Sequence, residues 1–182
     1  MDEANPSVLV IDDDSEFRDS VARLLRTIGL NTQQFSSVPD FLKADPPEGP
    51  TCFVLDVRMP GRSGLELQRE LAAANRLVPI IFITAHADVP MTVQAMKGGA
   101  LEFLTKPFRD QDLLDAVEAG LARDRARRES ERALAALRER FDMLSSRERD
   151  IMLHVVAQIA NDIGIAESTD ILKMIPEEPE RS

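Results

Sequence analysis

The chain has 182 residues, 43% hydrophobic and 30% charged, with a formal net charge of -10. This balance suits a globular domain of ordinary size, alone or with a small appendage, and the acidic excess opposes general binding to nucleic acid. The single cysteine, Cys52, excludes an internal disulfide, and no 18 apolar residues run together, so the expectation is a cytoplasmic protein without a membrane span.

Residues 7 to 11 (Ser-Val-Leu-Val-Ile) are a short apolar run ended by Asp12, Asp13 and Asp14, the pattern of a strand buried on both faces. From 15 to 28, Phe17, Val21, Leu24, Leu25 and Ile28 follow helical spacing, and Gly29 supplies the stop. The alternation repeats. Residues 51 to 55 and 79 to 84 read as buried strands, 64 to 74 and 88 to 98 as the helices between strands, 102 to 105 as a last strand, and 31 to 35 as a weaker second one. Strands alternating with helices predict a doubly wound α/β fold with a parallel sheet covered on both faces. In such sheets ligands bind beyond the carboxyl ends of the strands, which is where Asp12, Asp13, Asp56, Thr84 and Lys106 fall.

These residue types suggest phosphoryl chemistry. Three carboxylates in a small volume repel one another unless a cation is present, and Mg2+ is typically held by one or two carboxylates with water and phosphate oxygens. Thr84 offers a hydroxyl to a phosphoryl oxygen and Lys106 a charge to pair with it. Read one at a time, the same residues are ordinary: a strand-end turn with a helix N-cap at Asp12 to Asp14, a loop acid at Asp56, strand-end residues at Thr84 and Lys106, and a core aromatic at Phe103.

Taken together, Val8 to Asp14, Leu55 to Gly61, Ile83-Thr84-Ala85 and Thr105-Lys106-Pro107-Phe108 resemble the four signatures of bacterial two-component response regulators, in order and suitably spaced. The resemblance implies a CheY-like receiver with five parallel strands in the order 2-1-3-4-5. It further implies that Asp56 is phosphorylated, and that Mg2+ is held by Asp13, Asp56 and the backbone carbonyl of Arg58, with Asp12 assisting through water. Thr84 and Lys106 would sense the phosphoryl group, with Phe103 as the aromatic that moves with the threonine. Lys106-Pro107 resembles the family's cis peptide, although the sequence alone leaves a trans turn open. A small-molecule aspartyl-phosphate hydrolase would need a second acid two residues after the nucleophile, where this chain has Arg58.

After Phe108 the helical pattern continues through Leu113, Leu114, Val117 and Leu121, then loses its apolar stripe from Ala122 to Ala133. Offset charges such as Asp124 with Arg128 predict a solvated middle. Leu134, Leu137, Phe141 and Leu144 restore the stripe, so one long helix leaves the first domain. From Phe141 the sequence resembles the opening of the helix-turn-helix output domain of FixJ- and LuxR-like regulators, with Ser145 and Glu148 spaced for a capping box. The turn expected before Gln158 is missing, however, because Val155-Val156-Ala157 runs directly into it. Residues 151 to 182 also hold two basic residues, Lys173 and Arg181, against six acidic ones. DNA-reading helices approach phosphates with Lys and Arg, so charge and resemblance point in opposite directions here.

The expected organisation is a receiver over 1–124, a linker helix over 125–141, a small, incomplete all-α segment over 142–175 that is a truncated or degenerate helix-turn-helix, and a disordered tail over 176–182. The expected partners are a sensor histidine kinase and a second regulator chain, as a phosphorylation-dependent homodimer or a heterodimer with a related regulator. The expected output is transcriptional; the alternative is an interaction switch or phosphate sink that no longer binds DNA. No enzymatic activity is expected beyond self-phosphorylation and self-dephosphorylation.

Overall fold

The computed structural model describes residues 5–162. The chain divides into two compact units, 1–130 and 131–182. The first holds β1 (Ser7–Ile11), α1 (Ser15–Thr27), β2 (Asn31–Phe35), α2 (Val38–Leu42), β3 (Thr51–Asp56), α3 (Gly64–Ala73), β4 (Ile80–Thr84), α4 (Val89–Lys97), β5 (Glu102–Thr105) and the start of α5 (Asp110–Asp142). All pairings are parallel, in the order β2-β1-β3-β4-β5.

Burial explains why β1, β3 and β4 are unbroken apolar runs: every residue of each is buried. Alternate side chains serve two cores. Leu9, Ile11, Phe53, Leu55 and Phe82 pack on one face of the sheet, and Val8, Val10, Cys52, Val54, Ile81 and Ile83 on the other. Burial also pushes the Cys52 thiol up to about 12, with the charge of Asp124 adding to the effect, so it behaves as a small hydrophobe. The outer strands β2 and β5 are only partly buried, which is why their sequence signal is weaker.

The starts of α1 to α4 are each marked by a cap. Asp14, Ser37, Ser63 and Asp88 accept backbone N–H groups at the starts of α1, α2, α3 and α4, and Ser63 with Glu66 forms a capping box. Gly29 ends α1 with φ +79, a conformation that favours glycine. The short α2 was not anticipated from the sequence; its signal is Ser37 accepting from the N–H of Asp40. The peptide bond between Lys106 and Pro107 is cis.

One expectation is corrected on α5. Asp124 does not belong to a solvated middle: its side chain is fully buried. It accepts the N–H of Thr51 at 2.9 Å, at the start of β3, and is paired with Arg127 at 2.6 Å and Arg128 at 2.7 Å. Arg128 also donates to the carbonyl of Glu48. The Asp124–Arg128 offset read from the sequence is thus real, but it serves to hold a buried carboxylate at the start of β3.

In the second unit, α6 (Ser146–Asp162) starts at a capping box in which Ser145 and Glu148 exchange bonds. The helix runs through Gln158 without interruption, as the missing turn in the sequence predicts. The expected continuation of the helix-turn-helix over 163–175 and the tail over 176–182 lie outside the described residues.

Removing the carboxylate of Asp124 would leave the buried N–H of Thr51 without its acceptor and would take a shared ion-pair partner from Arg127 and Arg128. Asp124→Ala is expected to cost about 3–5 kcal/mol, the usual loss for breaking one side of a buried pair. Chemical denaturation checks this; a loss below about 1 kcal/mol would mean that water replaces the carboxylate.

Candidate functional site

The pairing of β1 with β3 builds the site. Ile11 lies opposite Leu55, so the next residues, Asp12 and Asp56, reach the same rim of the sheet. Asp12 is 2% and Asp56 7% exposed, while Asp13 faces solvent. One carboxylate oxygen from each of the three lies within 4.8 Å of the others. Gly64 lets the start of α3 approach from the side: its N–H donates to the carbonyl of Val57, and a Cβ there would stand 2.3 Å from the carbonyl oxygen of Asp56.

Asp12 is held on every side. Its Oδ1 accepts the N–H of Asp14 at 2.9 Å, its Oδ2 pairs with Lys106 Nζ at 2.6 Å, and its carbonyl accepts from Arg18. The next strand end supplies Thr84, which is 1% exposed; its hydroxyl accepts the N–H of His86, and its carbonyl accepts the N–H of Lys106. Phe103, half-buried on β5, has its ring 6.3 Å from that of Phe82. Arg58 projects its side chain outward to Asp88 at 3.9 Å.

Asp56 bears the electrostatic cost. Burial pushes its carboxyl up to about 6 and the charge of Asp12 adds to this, while Lys106 and the backbone at Arg58 and Val57 act in the opposite direction. Its Oδ1 is buried with no hydrogen-bond partner among the described residues, a costly arrangement for a polar atom. Three carboxylates, one with an orphaned buried oxygen, are the donor set of a hard divalent cation, so the residues present fit such an ion.

The structure thus brings together Asp12, Asp13, Asp56 and Lys106, with Thr84 at the adjoining strand end. Sequence reasoning missed two contributors, Arg18 and Phe17. Phe17 lies under Lys106, with Nζ 3.6 Å from the ring centroid. Its signal was an aromatic in the first turn after an acid cluster, which periodicity assigns to the core.

Fold and site together define a receiver, and the comparisons agree. Residues 8–118 match the response regulator receiver domain family. The chain belongs to that family of two-component response regulators. Nodulation protein W of Bradyrhizobium diazoefficiens is 50% identical over 167 residues, 89% of this chain and 74% of that protein. The transcriptional regulatory protein FixJ of Azorhizobium caulinodans is 44% identical, over 89% of this chain and 79% of its own. Among solved structures, the response regulator StyR is 44% identical with a TM-score of 0.78, covering 92% of this chain and 87% of that one. Within the family the chain groups with the FixJ-like regulators. Among the described residues no helix is long and apolar enough to cross a membrane.

Because its folded value is raised, Asp56 binds its proton more tightly in the native state than in the unfolded chain. Stability at this group therefore falls as pH rises from the ordinary carboxylate range to about 6, and the penalty is complete above that. Asp56→Asn removes the penalty. Without divalent cations it is expected to stabilise the protein by on the order of 2–3 kcal/mol at pH 7.5, with the gain shrinking toward pH 4. Urea denaturation at the two pH values measures it; equal stabilities at pH 7.5 would contradict the assignment.

Proposed function

We propose that this regulator is switched by phosphorylation of Asp56, taken from the phosphohistidine of a sensor histidine kinase. The observation that carries the reading is the buried Asp56 carboxylate, with an orphaned Oδ1, gathered within 4.8 Å of Asp12 and Asp13. An oxygen of Asp56 attacks phosphorus while the phosphorus–nitrogen bond breaks, and the imidazole leaves with the electron pair and takes a proton. Asp13, Asp56 and the carbonyl of Arg58 would hold Mg2+, with Asp12 acting through water. When bound, the ion neutralises charge on the carboxylates and the phosphoryl oxygens. Hydrolysis of the aspartyl phosphate resets the switch, so the only chemistry is gain and loss of the chain's own phosphoryl group.

Thr84 donates its hydroxyl to a phosphoryl oxygen, and Lys106 moves its ammonium from Asp12 toward the new charge. Phe103 follows the threonine, which favours a pre-existing active conformation and alters the surface of α4 and β5. Val89, Val93 and Met96 are exposed on α4, which supports a homodimer there, or a heterodimer with a related regulator. In this reading the receiver is 1–124, the linker 125–141 and the output segment 142–175, in a cytoplasmic protein.

Transcriptional output follows the relatives. A second reading, an interaction switch or phosphate sink without DNA binding, is favoured by the continuity of α6 through Gln158 and by the acidic excess after residue 151.

Incubation with acetyl phosphate and Mg2+, followed by peptide mapping, is expected to place the phosphoryl group on Asp56 and to find none on Asp56→Asn. Equal labelling of the two proteins would refute the assignment. A mobility-shift titration at low salt separates the two outputs: retention of promoter DNA that depends on phosphorylation supports the transcriptional one, and its absence supports the sink.

A further inference from the structure

The phosphoryl reading gives Phe17 no part, yet this ring touches the lysine of the site. Asp14 caps α1 by accepting the N–H of Phe17 at 3.1 Å, which fixes the first helical turn and the position of the ring. The ring is half-buried and meets the edge of Phe108, with centroids 6.1 Å apart at 85°. Packing alone would set its face against aliphatic carbons. Instead, Nζ of Lys106 stands 3.6 Å from its centroid.

An ammonium carries three donors on a flexible four-carbon stem. Here one direction is taken by Asp12 Oδ2 at 2.6 Å, and the ring face lies on another side. A π-face attracts the charge without accepting a full hydrogen bond, so it localises the group and leaves its donors available. A carboxylate in the same place would compete with a phosphoryl oxygen. An aliphatic side chain would desolvate the ammonium and return nothing.

Resting on the phosphoryl reading, we propose that Phe17 is a positioning residue: its ring is the seat from which the Lys106 ammonium turns from Asp12 to the phosphoryl group, ready for transfer to Asp56. With acetyl phosphate, the bond from an Asp56 oxygen to phosphorus forms as the phosphorus–oxygen bond to acetate breaks, and acetate leaves with the electron pair. Lys106 faces the charge on the transferring group during that step. Holding the ammonium in advance lowers the cost of ordering its stem at the moment of reaction.

The test compares the full chain with Phe17→Leu, which removes the ring, and Phe17→Tyr, which keeps it. The first readout is the NMR shift of the Lys106 ε-methylene protons, which a ring at this distance moves upfield. The second is the rate of Asp56 phosphorylation by acetyl phosphate with saturating Mg2+. The seat predicts upfield ε-protons in the parent and in Phe17→Tyr, lost in Phe17→Leu. It also predicts phosphorylation about 2- to 30-fold slower in Phe17→Leu, restored by Phe17→Tyr, as expected from the strength of a cation–π contact. Loss of packing alone would not tie the rate to the ring current. Unshifted ε-protons in the parent, parent-like rates in Phe17→Leu, or a Phe17→Tyr rate as slow as that of Phe17→Leu would each overturn it. A parent that takes no phosphate on Asp56 overturns the phosphoryl reading and the kinetic role with it; a labelled parent matched by Phe17→Leu overturns the seat alone.

Discussion

The pairing of β1 with β3 forces two buried carboxylates to the same rim, and most of the first unit is arranged around that repulsion. Ile11 opposite Leu55 leaves Asp12 and Asp56 no freedom to separate, because both strands are buried on both faces. A slip of one residue would turn each apolar side chain to the opposite core. The two hydrophobic layers therefore do more than stabilise the sheet: they hold like charges closer than water would allow. Lys106, the N–H of Asp14 and the approach of Arg18 offset part of the strain at Asp12. At Asp56 burial, and then the charge of Asp12, outweigh Lys106 and the backbone at Arg58 and Val57, so its carboxyl value stays raised.

Much of this was legible in the sequence, for reasons particular to each element. The apolar runs read at 7–11, 51–55 and 79–84 are continuous because each strand is covered on both sides, and acids directly after the first two must lie at the rim. The capping box at Ser145 and Glu148 could be read because its bonds are local. The structure of α2 was missed because five residues carry too little periodicity. Phe17 was placed in the core because spacing records which face a side chain occupies, and not that a lysine 89 residues further on lies over its ring. Asp124 was misread for the same reason: its offset from Arg128 is that of an exposed ion pair, and only the fold brings Thr51 to it.

The two ends of β3 use charge in opposite ways. At its carboxyl end, Asp56 keeps a buried Oδ1 without a hydrogen-bond partner among the described residues, the feature on which the proposed phosphoryl chemistry rests. At its amino end, a carboxylate from α5 is given an amide and two guanidinium groups, which leaves it inert. Both are buried aspartates in one small unit, so burial alone does not mark a functional acid. The two differ in that Asp124 has donors on both carboxylate oxygens, while Asp56 has a buried oxygen without one among the described residues.

That arrangement at Asp124 also limits how the sequence can drift. Arg127, Arg128 and the N–H of Thr51 share one carboxylate, so a replacement at 124 takes a partner from three groups at once. Buried ion pairs are exchanged for apolar residues at little cost only when all partners change together. Positions 124, 127 and 128 therefore form a single unit of variation. A substitution at any one of them is tolerated or rejected according to what occupies the other two.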